Sequence, residues 1–249
     1  MRPITLGASA AGACVVLTCE HASAAVPDEY ANLGLAPAQL RDHIGWDIGA
    51  AAVAEELSRA LAAPAVLSAA SRLLVDCNRD LGDADLIPHR SHGVTVPGNA
   101  AVDARERQHR LTRFYDPFHA AVDAQLASCP QALLLSVHSF TPELNGRSRP
   151  FDIGVLYDDY DLLATGLAEG LRAAGFGVRM NEPYSGLAGL IFSARSHGRR
   201  HGVRYLELEI NNRLLRTDRD AIDVASRLVD AVAQTAAAHE TPAATGARP

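Results

Sequence analysis

The feature that most constrains this chain is a set of short apolar runs that stop abruptly on ionisable residues. Residues 14–19 lead straight into Glu20 and His21. Residues 132–137 lead into His138 and Ser139, and residues 73–76 into Asn78 and Arg79. A fourth run, residues 205–210, carries Glu207 and Glu209 within it. Short apolar runs bounded by polar punctuation read as buried strands. Two more are expected at residues 65–69 and 153–157. The longer stretches between them read as helices. In residues 49–62, Ala52, Val53, Leu57 and Leu61 fall near helical spacing. Residues 104–126 form a long helix interrupted around Pro117, residues 162–174 a helix closed by Gly175, and residues 220–238 a last one. Strands alternating with helices of this length predict an α/β fold with a largely parallel sheet.

A chain of 249 residues is long enough for one such domain with a substantial core. We place it at residues 1–240, with 241–249 as a flexible, Ala-, Thr- and Pro-rich tail. The start of the chain reads as a short tail and a first strand. No run is long enough to span a membrane. The segments 82–102, 139–150 and 181–200 read as long loops, which in a compact domain are often functional.

Composition narrows the chemistry. There is no lysine, so all 23 basic residues are arginine, which excludes Schiff-base catalysis and a phosphate-loop lysine. The formal net charge of −6 argues against a nucleic-acid partner. The four cysteines, Cys14, Cys19, Cys77 and Cys129, form no Cys-x-x-Cys pair. They read as small, mostly core residues in a reducing compartment, so a cytoplasmic location is expected.

In an open α/β sheet, ligands bind at the carboxyl ends of the strands, where this chain places its ionisable groups. His21 and His138 are two nitrogen donors. With one carboxylate they would make a His₂–carboxylate metal site with an open position for water. Such an ion lowers the pKa of a water and polarises a carbonyl, and a further glutamate can take the proton. Glu207 and Glu209, two apart on a strand, share one face. Two carboxylates there are costly unless paired or ligating, the alternative being an edge strand with a solvated face. Arg72, Asp76, Asn78 and Arg79 suit either an anionic substrate or a structural Arg–Asp network. Asp47 reads first as the cap of the helix that follows, and otherwise as the third ligand. His197 and His201 stand four apart like a ligand pair, but Gly198 and Gly202 argue against a helix there. Along with His89, His92, His109, His119 and His239, they read as surface or loop residues.

Taken together, the motifs resemble the N-formylglutamate amidohydrolase family. The matching stretches are Cys19-Glu20-His21-Ala22-Ser23, His43-Ile44-Gly45-Trp46-Asp47-Ile48-Gly49, Ser71-Arg72-Leu73-Leu74-Val75-Asp76-Cys77-Asn78-Arg79, Val96-Pro97-Gly98-Asn99, Val137-His138-Ser139-Phe140-Thr141-Pro142, Asn181-Glu182-Pro183-Tyr184 and Leu208-Glu209-Ile210-Asn211-Asn212. They run in order from about residue 14 to 215. The family is distantly similar to zinc carboxypeptidases and aspartoacylases. That resemblance implies a mixed, mostly parallel sheet flanked by helices on both faces, and one zinc ion, other divalent metals being possible. It implies His21 and His138 as ligands, Glu209 as the catalytic glutamate, Asn78 and Arg79 as the grip on a substrate carboxylate, and Arg72 as the group polarising the scissile carbonyl. Where the carboxypeptidase pattern has its carboxylate ligand, this chain has Ala24, so the third ligand comes from elsewhere: Asp47 first, Glu20 second. The implied reaction is hydrolysis of a small anionic N-formyl or other N-acyl amino acid. The alternatives are a zinc hydrolase of another small amide or peptide, or a non-catalytic binder of acyl amino acids. No membrane partner is expected, and oligomeric state stays open.

Overall fold

Two eight-residue strands, Leu133–Phe140 and Arg204–Asn211, lie side by side and are buried along almost their whole length. Consecutive buried residues mean that both faces of the sheet are covered, as parallel strands require. The computed structural model describes residues 1–7 and 15–238. Cys14, His239 and the tail at 241–249 lie outside the described residues.

One sheet contains seven strands: β1 (Ile4–Leu6), β2 (Val15–Cys19), β3 (Ala65–Leu67), β4 (Leu133–Phe140), β5 (Ile153–Leu156), β6 (Val178–Met180) and β7 (Arg204–Asn211). Their spatial order is β1-β3-β2-β4-β7-β5-β6. β2 is parallel to β3 and to β4, β4 to β7, and β5 to β6. β1 runs antiparallel to β3, and β5 antiparallel to β7. The sheet is therefore mixed and mostly parallel, as expected. The register sets Glu209 beside His138 and Glu207 beside Ser136. β7 is an interior strand, so its two glutamates are not on a solvated edge.

The helices are α1 (Ala50–Leu61), α2 (Ala104–Arg110), α3 (Asp116–Ser128), α4 (Asp161–Ala173), α5 (Phe192–His201) and α6 (Asp218–Ala237). α1 and α4 pack on α6, while α3 packs on α5. In α1 the buried residues Ala50, Val53, Ala54 and Leu57 follow the i, i+3, i+4, i+7 stripe of an amphipathic helix. Thr217 caps α6, its side chain accepting from the N–H of Asp220. The interruption expected near Pro117 is a π turn, Leu111–Tyr115, that joins α2 to α3. Pro117 is the second residue of α3, directly after that turn.

Three expectations need correction. Residues 73–76 form turns rather than a strand, although Leu73 and Leu74 are fully buried. Turn and side-chain bonds satisfy this backbone instead of a sheet: Ser71 Oγ accepts from the N–H of Leu73, the carbonyls of Ser71 and Leu86 accept from those of Leu74 and Asp76, and Asn99 Nδ2 donates to the carbonyl of Leu73. Asp47 does not cap α1. The cap position is Gly49, in the left-handed region at φ 81°. Most of the second half of the segment 181–200 is the helix α5, not loop.

α5 tolerates Gly198 because the helix presses on the sheet at that point. A Cβ there would stand 2.1 Å from Tyr205 Cδ1 on β7. Close approach outweighs the roughly 1 kcal/mol that glycine costs a helix. Gly198→Ala is accordingly expected to destabilise the fold by about 3 kcal/mol through overpacking, read as a lowered midpoint in urea unfolding. An unchanged midpoint would refute this account of the contact.

Candidate metal centre and active site

A cleft opens at the carboxyl ends of β2, β4 and β7. Its lining includes His21, Asp47, Arg72, Asn78, Arg79, His138, Glu207 and Glu209, so every residue singled out above for the site, except Glu20 and Asp76, faces one space. The strands account for much of this. His21 follows β2 directly, His138 lies near the end of β4, and the register of β7 on β4 brings Glu209 alongside. Asp47 arrives on a loop pinned to both histidine segments. Its N–H donates to the carbonyl of His21 at 2.9 Å, and Ser139 Oγ donates to the carbonyl of Ile48 at 2.8 Å.

The two imidazoles meet edge to face, with ring centroids 4.7 Å apart. Asp47 Oδ2 lies 2.8 Å from His138 Nδ1 and 3.4 Å from His21 Nδ1. The other nitrogen of each ring faces a different buried carboxylate. His21 Nε2 is 2.7 Å from Asp76 Oδ1, and His138 Nε2 is 3.1 Å from Glu20 Oε2. His21 is held as metal-ligating histidines commonly are, with the distal N–H given to a carboxylate so that the near nitrogen offers its lone pair, whereas His138 Nε2 meets Glu20 at ion-pair distance without hydrogen-bond geometry. His21, Asp47 and His138 can bring one ligand atom each within 4.8 Å of one another. Two nitrogen donors and one oxygen suit zinc, so the residues present fit the ion. Glu20 sits behind His138 rather than beside Asp47. It accepts from Ser136 Oγ at 2.6 Å.

The site is strongly acidic. Glu20, Asp47, Asp76, Glu207 and Glu209 are each at most 6% exposed. Burying that much like charge is costly unless cations answer it. Burial and the neighbouring Glu20 carboxylate raise the pKa of Glu207 to about 7, against the pull of His138. Burial, then Asp47 and Glu207, push that of Glu209 well above the usual carboxylate range. Glu20 goes the other way, to about 2, because His138 and the hydroxyl of Ser136 outweigh its burial. Burial disfavours a charged His138, yet Glu207, Asp47 and Glu20 together hold its pKa well above the ordinary imidazole value. Glu209 Oε2 is buried with no hydrogen-bond partner.

The arginines differ in what they are free to do. Arg72 is tied down: Nη2 donates to Asp76 Oδ2 at 2.8 Å, and Nη1 lies 3.5 Å from Asp47 Oδ1. It is part of a structural Arg–Asp network and also faces the cleft. Among the described residues, the Arg79 guanidinium forms one ion pair, a long one of 3.9 Å to Asp83. Asn78 is partly committed, with Oδ1 accepting from the N–H of Ser193 and Nδ2 donating to Glu207 Oε2 at 3.3 Å. Sequence reasoning missed Tyr184 and His92, which line the cleft from loops. No periodic pattern marks either. It also set aside His119 and His197, which are helical, and His197 is 2% exposed.

Comparison with known proteins identifies the family and the fold. The family model described as N-formylglutamate amidohydrolase matches residues 13–216. A gene product of Agrobacterium tumefaciens of known crystal structure is 34% identical, with a TM-score of 0.87 over 94% of each chain. The crystal structure of N-formylglutamate amidohydrolase from Ralstonia eutropha is 21% identical, with a TM-score of 0.64 over 95% of this chain and 97% of that one; at that identity it speaks for the fold alone. No curated protein matches the sequence. No helix among the described residues is long and apolar enough to cross a membrane.

Proposed function

The chain belongs to the N-formylglutamate amidohydrolase family, and from that premise we propose that it hydrolyses the amide bond of an N-formyl or other N-acyl amino acid, using a zinc ion held by His21, Asp47 and His138. The observation that carries this reading is the convergence of His21 Nδ1, His138 Nδ1 and Asp47 Oδ2, with both distal ring nitrogens already facing carboxylates. When bound, the ion supplies Lewis acidity, bringing the pKa of a water toward neutrality and polarising the substrate carbonyl.

The protein's own groups do the rest. Glu209 takes the proton of the attacking water and delivers it to the leaving amine. Its Oε2 is buried without a hydrogen-bond partner and so is open to water and substrate; a bound cation beside it would offset the burial and like charge that raise its pKa, so that it starts as the carboxylate. Arg72, oriented by Asp76, stabilises the negative charge that develops on the carbonyl oxygen. Arg79 pairs with the substrate carboxylate, since its ion-pair partner among the described residues is distant and its guanidinium offers a planar fork. Asn78 has a second N–H to give beyond the one on Glu207. The products are the free amino acid and, for a formyl substrate, formate.

The test is formate release from N-formylglutamate, and acid release from a panel of N-acyl amino acids, by zinc-loaded protein. We expect turnover that a chelator abolishes and zinc restores. A zinc-loaded protein that cleaves no member of the panel overturns the proposal. Arg79→Ala is expected to raise KM at least tenfold, the loss of about 1.4 kcal/mol or more from one charged hydrogen-bonded contact, for substrates with a carboxylate and to leave neutral amides unaffected. Equal effects on both classes would remove Arg79 from that role.

A further inference from the structure

A second cluster of ligating side chains lies outside the cleft, between α3 and α5. From its geometry we propose that Asp123, His197 and His201 form a second binding site for a divalent transition metal of the zinc class. The two histidines stand one turn apart on α5, so both project toward α3. There they share one atom: Asp123 Oδ1 lies 2.7 Å from His197 Nδ1 and 2.8 Å from His201 Nε2. The three ligand atoms fall within 4.8 Å of one another.

The surroundings are those of a built site. Asp123 Oδ2 is occupied, accepting from Arg200 Nη1 at 2.7 Å, which orients the carboxylate and leaves Oδ1 for the ion. His197 Nε2 lies 2.8 Å from His119 Nδ1, and the two rings are stacked. That contact fixes the His197 ring and lets Nε2 carry its proton, so that Nδ1 can offer a lone pair. Partners of this kind are what ligating histidines and carboxylates require beyond the ion itself. His197 is buried, while the side chains of Asp123 and His201 are 29% and 20% exposed. An ion can therefore enter from solvent and keep a water. Two imidazoles and one carboxylate, with Arg200 offsetting the carboxylate's charge, favour zinc, cobalt, nickel or copper over calcium or magnesium. An ion here would clamp α3 to α5, the helix whose Ser193 N–H holds Asn78 in the cleft.

Metal stoichiometry tests this without reference to catalysis. Chelator-stripped protein titrated with zinc is expected to bind two equivalents, and His201→Ala one. His201 is partly exposed, so its loss leaves the fold intact. The double variant His21→Ala, His138→Ala is expected to keep one equivalent, and the triple variant none. If the unaltered protein binds one equivalent and His201→Ala abolishes it, this site stands and the cleft site falls. If His201→Ala binds as much zinc as the unaltered protein, the second site does not exist. Should the double variant fail to fold, the comparison of His201→Ala with the unaltered protein decides alone.

Discussion

In the Glu209→Gln variant, kcat for formate release from N-formylglutamate is expected to fall by about 10²–10⁴-fold, the range for loss of a general acid–base group, with metal content unchanged. The amide matches the carboxyl in size but cannot accept the proton. The substitution is expected to be structurally quiet. Glu209 is buried among Asp47 and Glu207, and its own burial already favours the neutral form. A neutral amide therefore removes repulsion rather than a needed charge. Glu207→Gln is the matched control. Glu207 pairs in register with Ser136, one step deeper than Glu209 with His138, and it is engaged by Asn78 Nδ2. Its replacement should cost less than tenfold, because it takes no proton from substrate or water on this reading. Metal analysis and steady-state kinetics on both variants check the pair. Glu209→Gln activity within threefold of the unaltered protein would remove Glu209 from the proton-transfer role.

Much of this site was legible in the sequence because strand ends deliver residues to one edge. His21 and His138 follow from apolar runs that stop, and a period of two puts Glu207 and Glu209 together on one face. What the sequence left ambiguous concerns segments whose backbone is satisfied by side chains. Residues 73–76 are as apolar as a strand, yet Ser71, Asn99 and the carbonyl of Leu86 supply the hydrogen bonds that a sheet would have supplied. Burial alone does not distinguish the two cases. Asp47 stands two residues before Gly49, where propensity points to a cap, and only its tertiary contacts with His21 and Ser139 turn it inward. α5 was hidden for a different reason. Glycine is disfavoured in helices by local energetics, whereas Gly198 answers a close approach to Tyr205 on β7, the strand against which α5 packs. With the helix unrecognised, the spacing of His197 and His201 lost its meaning as well. The same omission concealed the cluster of Asp123, His197 and His201 between α3 and α5 and the contact of His119 with His197 beside it.

The second large effect concerns the acidity of the cleft, and its sign follows from the directions of the shifts. Without a metal ion, Glu207 and Glu209 have raised pKa values in the folded protein, as has His138. For all three the folded state binds more protons than the unfolded chain. Each stabilises the fold at low pH and loses that contribution as pH rises through its folded pKa. For Glu207 the window runs from about 4.5 to about 7, equivalent to about 3 kcal/mol at 1.36 kcal/mol per unit. Glu209 and His138 extend it upward. Glu20, Asp47 and Asp76 shift downward, so their stabilisation is complete above about pH 4.5 and is lost only in acid. They do not offset the loss at neutral pH. Zinc acts oppositely, since its ligands must be deprotonated and its affinity rises with pH. At a hundredfold excess over Kd it adds about 2.7 kcal/mol. The Tm difference between zinc-loaded and chelator-treated protein should therefore widen steadily from pH 5 to pH 9. Measuring it in the His201→Ala background confines the effect to the cleft. A difference that stays constant or narrows as pH rises would contradict this balance of charges, and with it the assignment of His21, Asp47 and His138 to a metal.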